Sequence, residues 1–305
     1  MSFPTLEQAR ALQLPVQTEE MYGVFSPDHS RLLTGGDGPE PRIQIWDVET
    51  GKCVQTLVGH EQPVAALTWS KDQQRVASGA FDGSVRLWDV TSAECFRVLS
   101  GHGSYVRSVE YTRSHKHLLS GSGDGIVRLW ELSSGKLLQA FEGHTDGVYH
   151  AIFSANEEKV LSGGRDGTIR LWDVKSGRCV QRIGGSRAHI QCLRWHLDQR
   201  RFLSCSGDIR LWDSETGELL RLFSGHTDTV RSVVWSQDQR HILSGSHDRS
   251  VRVWESETGR CVQTLSGHDA CVVNAALAGN DSVLSCDSSG GLRTWSKRVD
   301  HSRRS

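Results

Sequence analysis

Histidine, serine, aspartate and tryptophan recur in this sequence at one fixed spacing. In four segments an aspartate follows a histidine by 22 residues, a serine lies between them, and a tryptophan comes six residues after the aspartate. The four sets are His60, Ser78, Asp82 and Trp88; His102, Ser120, Asp124 and Trp130; His144, Ser162, Asp166 and Trp172; and His226, Ser244, Asp248 and Trp254. Serine, histidine and aspartate could form a hydrolase triad, in which the histidine activates a serine nucleophile. Four copies at one spacing instead indicate a repeated structural unit, and we predict no catalytic residue.

The repeat extends over almost the whole chain. A tryptophan followed by an acidic residue occurs six times, and a degenerate copy is found at Trp295-Ser296. The seven tryptophans are Trp46, Trp88, Trp130, Trp172, Trp212, Trp254 and Trp295, at steps of 40 to 42 residues. The dipeptide Gly-His recurs with the same period, at His60, His102, His144, His226 and His268. A fixed period of this length is typical of solenoids, propellers and other repeat architectures.

Each repeat has the residue pattern of four short strands. In the best-preserved unit, the runs 53–57, 64–69, 75–78 and 85–88 are rich in β-branched and aromatic residues and end at Gly, Asp or Ser turns. A four-stranded sheet has two apolar faces and cannot bury both alone. Seven such sheets arranged radially cover each other's faces and leave only short edges.

With both signatures at a period near 42, the chain resembles the WD-repeat family of β-propellers over residues ~8–296. The resemblance implies an all-β fold: a seven-bladed β-propeller with four antiparallel strands per blade, in one domain spanning 1–296. The chain ends soon after Trp295, so the last blade needs an outer strand from elsewhere. Residues 8–14 lie one period before 53–57 and are predicted to be that strand. Residues 297–305 are predicted to be a short basic tail.

In this family a histidine, a serine or threonine, an aspartate and the tryptophan form a buried hydrogen-bond network in each blade. The resemblance therefore makes the four sets structural, with the tryptophan N–H engaging the serine oxygen. Three blades depart from the pattern and are expected to be looser. The first has Val16 or Gln17 in the histidine position and a turn two residues longer at 35–41; the fifth has a turn two residues shorter. The seventh has Ser289 in the aspartate position.

Peptide partners of the family often contact the residues three and five positions after the histidine and the residue before the aspartate. Carried over to this chain, those positions include Phe81, Tyr105, Arg107, Tyr149, Arg165, Arg231 and His247. Arginine and aromatic residues are enriched in interface hot spots. On a chain of net charge −1, this basic and aromatic set predicts a top-face surface for an acidic or phosphorylated peptide segment. The predicted function is that of a noncatalytic protein-interaction scaffold.

Two alternatives stay open, namely an enzyme with its site in the central channel and a propeller that binds nucleic acid or phospholipid. The first requires an unpaired acid–base pair facing the channel, and the sequence indicates none outside the four sets. The second is disfavoured, because 23% charged residues with a net charge of −1 do not give a basic protein.

Composition limits the remaining classes. The 305 residues are 37% hydrophobic, which suits a folded protein with a substantial core. No apolar run approaches the ~18 residues of a membrane helix, and the N-terminus lacks the pattern of a secretory signal. The eight cysteines show neither a CxxC motif nor Cys/His ligand spacing. We therefore predict no metal and no cofactor, a cytoplasmic or other intracellular location, and protein or peptide partners, with the chain monomeric or part of a larger complex.

Overall fold

The computed structural model describes residues 3–16, 21–38, 40–184, 188–279 and 282–297. Within these ranges, 28 strands form seven sheets of four antiparallel strands, and no helix occurs. The predicted all-β, seven-bladed propeller is confirmed. Gln17, Pro39, residues 185–187 and all of the predicted tail except Lys297 lie outside the described residues.

Blades are numbered along the chain, and the strands of each blade run from the channel outward. The first blade holds β2 (Met21–Phe25), β3 (Arg31–Gly36), β4 (Arg42–Asp47) and β5 (Cys53–Val58), the second β6 (Val64–Trp69), β7 (Arg75–Ala80), β8 (Val85–Asp89) and β9 (Cys95–Leu99), and the third β10 (Val106–Tyr111), β11 (His117–Ser122), β12 (Ile126–Glu131) and β13 (Leu137–Glu142). The fourth holds β14 (Val148–Phe153), β15 (Lys159–Gly164), β16 (Thr168–Asp173) and β17 (Cys179–Gly184), and the fifth β18 (Cys192–Trp195), β19 (Arg201–Cys205), β20 (Ile209–Asp213) and β21 (Leu219–Phe223). The sixth holds β22 (Val230–Trp235), β23 (His241–Ser246), β24 (Ser250–Glu255) and β25 (Cys261–Ser266), and the seventh β26 (Val272–Leu277), β27 (Ser282–Asp287), β28 (Gly291–Lys297) and the N-terminal β1 (Leu6–Gln13).

The N-terminal strand closes the ring, as predicted. β1 pairs antiparallel with β28 from Leu6 opposite Lys297 to Gln13 opposite Gly291, so the strand begins two residues earlier than the predicted range 8–14. Gln263 of the sixth blade holds this strand from the side, because its Oε1 accepts the Leu6 N–H at 3.1 Å and its Nε2 donates to the Leu6 carbonyl at 2.6 Å. The last blade therefore has four strands, although its members come from both ends of the sequence.

The apolar core lies between neighbouring blades. Trp88 of the second blade, for example, is fully buried in a cluster with Leu33 and Ile45 of the first. Close approach of the blades depends on glycine in the second strand of five blades: a Cβ at Gly121, for example, would lie 2.8 Å from Cγ1 of Val148 in the next blade. Radial packing of this kind buries both faces of every sheet.

The two ends of the channel differ in how they are built. The loops that join consecutive blades and the turns between second and third strands lie at one end, called the top face. The hairpins between first and second strands lie at the bottom face and place a non-glycine residue at positive φ in six blades: His29, Gln73, His115, Glu157, Gln199 and Gln239. Several of these side chains reach the preceding blade, as where His115 Nε2 accepts the Lys71 N–H at 2.9 Å and Glu157 Oε1 accepts the Arg113 N–H at 2.7 Å. Blade-to-blade bonds of this kind stiffen the bottom face.

Candidate interaction surface at the channel mouth

The four repeated sets form one hydrogen-bond arrangement. In each, the tryptophan Nε1 donates to the serine Oγ at 2.7–2.8 Å and the histidine Nε2 lies 2.7 Å from the same oxygen. The histidine Nδ1 lies 2.6–3.3 Å from the aspartate Oδ2. All four serines have no solvent-exposed surface. Each serine oxygen is thus engaged twice and out of reach of a substrate, which suits a structural role.

Burial changes the protonation of these histidines. It lowers the pKa of His60, His144 and His226, and it lowers that of His102 to about 4, where the neighbouring Arg128 guanidinium adds to the effect. The histidines are therefore neutral near pH 7, and the aspartates opposite them are ionised.

The seventh blade corrects one expectation. Ser289 does not leave the network without its acid, because Asp287 takes that part: its Oδ2 lies 2.7 Å from His268 Nδ1, and His268 Nε2 lies 2.7 Å from Ser285 Oγ. The Ser289 hydroxyl donates to the other oxygen of Asp287 at 2.8 Å. The sequence analysis missed this network, because 19 residues separate the histidine and the aspartate here, whereas the other four sets have 22.

The first and fifth blades keep only part of the network within the described residues. Trp46 Nε1 donates to Thr34 Oγ1 at 2.8 Å, and Trp212 Nε1 donates to Ser204 Oγ at 2.8 Å. Of the segments compared with Gly-His in these blades, Gln17 and residues 185–187 lie outside the described part of the chain. The hydroxyl–tryptophan bond is therefore the feature common to all seven blades.

Three of the predicted partner residues, Arg107, Tyr149 and Arg231, meet at the mouth of the channel. The Arg107 guanidinium lies 4.4 Å from the centre of the Tyr149 ring and 5.6 Å from that of Tyr22. Arg231 approaches the same Tyr22 ring at 5.4 Å, and its Nη1 donates to Gln191 Oε1 at 3.1 Å. These five residues, called the channel-mouth cluster, come from five different blades. Sequence comparison missed Tyr22, because the first blade has no Gly-His from which to count.

Phe81 and Tyr105 form a second aromatic group on the top face. Their rings stack at 5.2 Å with 26° between the planes, and Phe81 is 46% exposed. Tyr105 lies over two glycines: a Cβ at Gly123 would be 2.6 Å from Tyr105 Cζ, and one at Gly147 would be 2.8 Å from its hydroxyl oxygen. Burial, together with Tyr149, raises the pKa of Tyr105. The glycines make room for the ring, and the exposed face of Phe81 remains open to a partner.

The other two predicted residues lie on the rim. Arg165 is exposed, and its Nε is 3.7 Å from Asp146 Oδ2, with both side chains about half exposed. Such an exposed ion pair contributes little to stability. His247 is half-buried on the turn of the sixth blade, where its backbone N–H donates to the Thr229 carbonyl at 2.9 Å.

The channel wall holds ionisable residues that the sequence analysis missed. All seven inner strands line a cavity of about 230 Å³, and its wall includes Glu110, His150 and Arg194. The sequence analysis considered only an unpaired acid–base pair facing the channel, and it named neither Glu110 nor His150. Both groups bind the backbone of the next blade: Glu110 Oε2 accepts the Phe153 N–H at 2.8 Å, and His150 Nδ1 accepts the Leu193 N–H at 3.4 Å. Burial raises the pKa of Glu110 to about 7 and lowers that of His150 to about 4.

Two kinds of feature are absent from the described residues. No group of three or more His, Cys, Asp or Glu side chains there is arranged to hold a metal ion. In the same part of the chain, no helix has the length and apolar character needed to cross a membrane.

The repeated segments match a known protein family. A family model described as WD domain, G-beta repeat matches residues 51–89, 93–131, 135–173, 177–213, 217–255 and 259–296. The chain belongs to the WD40 repeat family. Each matched segment begins at or near the outer strand of one blade and ends with the third strand of the next, so the WD40 repeat and the structural blade are out of step. Because of this offset, the last matched segment ends with the third strand of the seventh blade, and β1 supplies the outer strand of that blade.

Curated relatives match over short stretches. Periodic tryptophan protein 2 of Arabidopsis thaliana is 34% identical over 61 residues, which are 20% of this chain and 7% of the relative. Katanin p80 WD40 repeat-containing subunit B1 of Danio rerio is 32% identical over 62 residues, 20% of this chain and 9% of the relative. Protein ROOT INITIATION DEFECTIVE 3 of Arabidopsis thaliana is 33% identical over 81 residues, 27% of this chain and 18% of the relative. The matches thus cover less than a fifth of each of these relatives.

Proposed function

We propose that the propeller is a noncatalytic interaction scaffold that binds an acidic or phosphorylated peptide segment across the top face. The observation that carries the proposal is Arg107, held between the rings of Tyr149 and Tyr22 at the channel mouth. Stacking on a ring fixes the plane of a guanidinium and leaves its in-plane N–H groups available to a carboxylate or phosphate. Among the described residues, no carboxylate forms an ion pair with Arg107 or Arg231.

The surroundings supply contact area as well as charge. The stacked pair Phe81–Tyr105 lies beside the cluster: the charges of Arg107 and Arg165 are close enough to act on the pKa of the Tyr105 hydroxyl. Aromatic side chains give large contacts at low entropic cost. The hydrogen-bonded blades present these groups without ordering on binding, so little affinity is lost to preorganisation.

The relatives fit this coarse function. The katanin relative is by its name a WD40 repeat-containing subunit, that is, a component of an assembly. We extend to this chain only the role in assembly, together with the intracellular location predicted from the sequence. Glu110 and His150 do not favour an enzyme, because each is bound to the backbone of a neighbouring blade.

The test uses peptide libraries, since no partner is identified. Libraries with a fixed phosphoserine, a fixed glutamate or a fixed serine are passed over the immobilised full chain, and affinities are measured for the selected peptides. We expect selection from the first two libraries. The triple variant Arg107→Ala/Arg165→Ala/Arg231→Ala should lose ~2–5 kcal/mol of binding, mostly through faster dissociation.

Arg113→Ala is the matched control, because Arg113 is an exposed arginine on the bottom face. That variant should bind like the parent. Equal binding by the folded triple variant, or selection of basic peptides, would move the binding surface to the bottom face or outer rim.

A further inference from the structure

One strand position differs between blades in a way that the network and the channel-mouth cluster do not use. Directly after the buried serine or threonine of each second strand, five blades have glycine: Gly35, Gly79, Gly121, Gly163 and Gly245. The fifth and seventh blades have Cys205 and Cys286 there. Because a Cβ at this position points at the inner strand of the next blade, each thiol is enclosed between two blades.

Only the fifth blade sets a second cysteine opposite the first. Cys205 pairs in register with Cys192, whereas Cys286 pairs with Asn274. Cys192 and Cys205 are 4% and 0% exposed and share a cluster with Val230 and Val233 of the sixth blade. Directly opposed residues of antiparallel strands have Cα atoms about 4.5–5.5 Å apart. This separation lies within the range of about 4.4–6.8 Å that a disulfide requires.

The two thiols also have unequal surroundings. Cys192 lines the channel cavity together with His150 and Arg194, so a small oxidant can reach it. The neighbouring Cys205 thiol, together with the Arg194 charge, lowers the pKa of Cys192, whereas burial raises the pKa of Cys205. A thiolate is the form that reacts with peroxide, and a neighbouring thiol resolves the product.

We propose that Cys192 and Cys205 are a peroxide-sensitive dithiol that closes into a cross-strand disulfide. The Cys192 thiolate attacks one oxygen of hydrogen peroxide and breaks the O–O bond, which leaves a sulfenic acid on Cys192 and a hydroxide that takes up a proton to become water. The Cys205 sulfur then attacks the sulfenic sulfur: the S–S bond forms, the S–O bond breaks, and the second water leaves with the Cys205 proton. Two electrons pass from the two sulfurs to the peroxide.

The disulfide would form in a blade whose described residues lack the histidine–aspartate part of the buried network. Among the described residues, the buried Ser204 hydroxyl is bonded to Trp212 but to no histidine–aspartate pair. Gln191, which holds Arg231, immediately precedes Cys192. Oxidation therefore stiffens the blade next to the channel mouth, and the thermal midpoint of the oxidised chain should rise.

The experiment treats the reduced, folded full chain with hydrogen peroxide, alkylates the remaining thiols and maps tryptic peptides. Trypsin cuts after Arg194 and Arg201, so the two cysteines fall in separate peptides. We expect these peptides to be linked in the parent and unlinked in Cys192→Ser and Cys205→Gly, which install residues that sister blades carry at the same positions. In Cys205→Gly, dimedone should label the sulfenic acid on Cys192.

Cys286→Gly is the matched control, since it makes the same exchange in the seventh blade and should leave the link intact. The proposal fails if peroxide oxidises the exposed Cys53 and Cys179 while Cys192 and Cys205 remain reduced. A link that forms only in urea would also overturn it. Since no partner enters the measurement, its outcome is independent of the proposed peptide binding.

Discussion

At the scale of single residues, the meaning of the Ser–His–Asp sets depends on a fourth side chain. The histidine contacts match those of a hydrolase triad, with Nδ1 facing the aspartate and Nε2 facing the serine. The Trp172 N–H donates to that same serine oxygen at 2.7 Å, and the oxygen is fully buried. Because the serine oxygen has this additional donor and no access to solvent, the set connects strands by hydrogen bonds, although its residue types are typical of catalysis.

The first prediction concerns the hydrogen-bond network of the fourth blade. Asp166→Ala removes the carboxylate acceptor from Nδ1 of the buried His144 and from the Thr145 N–H. Stranding a buried polar group costs ~1–3 kcal/mol. We therefore expect the free energy of unfolding, measured by urea denaturation at pH 7, to fall by that amount.

Asp269→Ala is the control for this substitution, because the Asp269 side chain is 93% exposed and its ion-pair partner Arg293 also donates to Gln8 Oε1 at 3.1 Å. It should change stability by less than ~0.5 kcal/mol. Equal unfolding midpoints for the parent and Asp166→Ala would show that the network does not contribute to stability.

At the scale of elements, the closing strand is the one whose partner is farthest away in sequence. β1 pairs with β28 along its whole length and is held from the other side by Gln263. Its Leu6 is buried with Trp295 and Leu265 in the core between the sixth and seventh blades. The strand therefore serves both as the outer strand of one blade and as part of an interface between two.

Deletion of residues 1–15 tests this role. The deletion leaves β28 as an unpaired edge of a three-stranded sheet, and exposed edges promote aggregation. We expect a lower thermal midpoint. We also expect species of larger mass, formed by aggregation, in size-exclusion chromatography coupled to light scattering. Deletion of residues 1 and 2 keeps all of β1 and Phe3, whose ring lies 5.0 Å from that of His241, and should behave like the full chain. A 1–15 deletion that shows no aggregation and an unchanged midpoint would refute the assignment.

At the scale of the whole molecule, the buried networks make the fold sensitive to acid. Burial lowers the pKa of His60, His102, His144 and His226 below their unfolded value of about 6.5. The unfolded chain therefore binds more protons than the folded chain below this pH, and stability falls as the pH falls. Glu110 acts in the opposite sense: its folded pKa of about 7 exceeds the unfolded value, so its contribution is present in acid and is lost as the pH rises through 7.

We expect the urea midpoint to fall between pH 7 and pH 5. The free energy of unfolding should fall with it, by at most about 1.4 kcal/mol per pH unit for each histidine. Glu110→Gln removes the opposing contribution, so its loss of stability over this interval should be larger than that of the parent. His144→Gln, which removes one titrating histidine, should lose less. A midpoint that rises towards pH 5 in Glu110→Gln would contradict the assignment of neutral, buried histidines.

The sequence by itself determined the repeat, the seven blades, the closing strand and four of the hydrogen-bond networks. Each of these follows from a pattern that is local or strictly periodic, because one blade is one unit of about 42 residues. It also marked Arg107 and Tyr149 by counting from Gly-His. The counting failed where a unit changes length, so Asp287 and Tyr22 were missed.

Only the tertiary structure decided which residues from different blades meet. Tyr22, Arg107, Tyr149, Gln191 and Arg231 become neighbours because the ring directs the start of every inner strand to one channel. The same closure sets Glu110 and His150 in the channel wall and places Cys192 opposite Cys205. A sequence specifies each blade through local contacts, whereas contacts across the channel depend on how many blades close and at what angle, which no single repeat encodes.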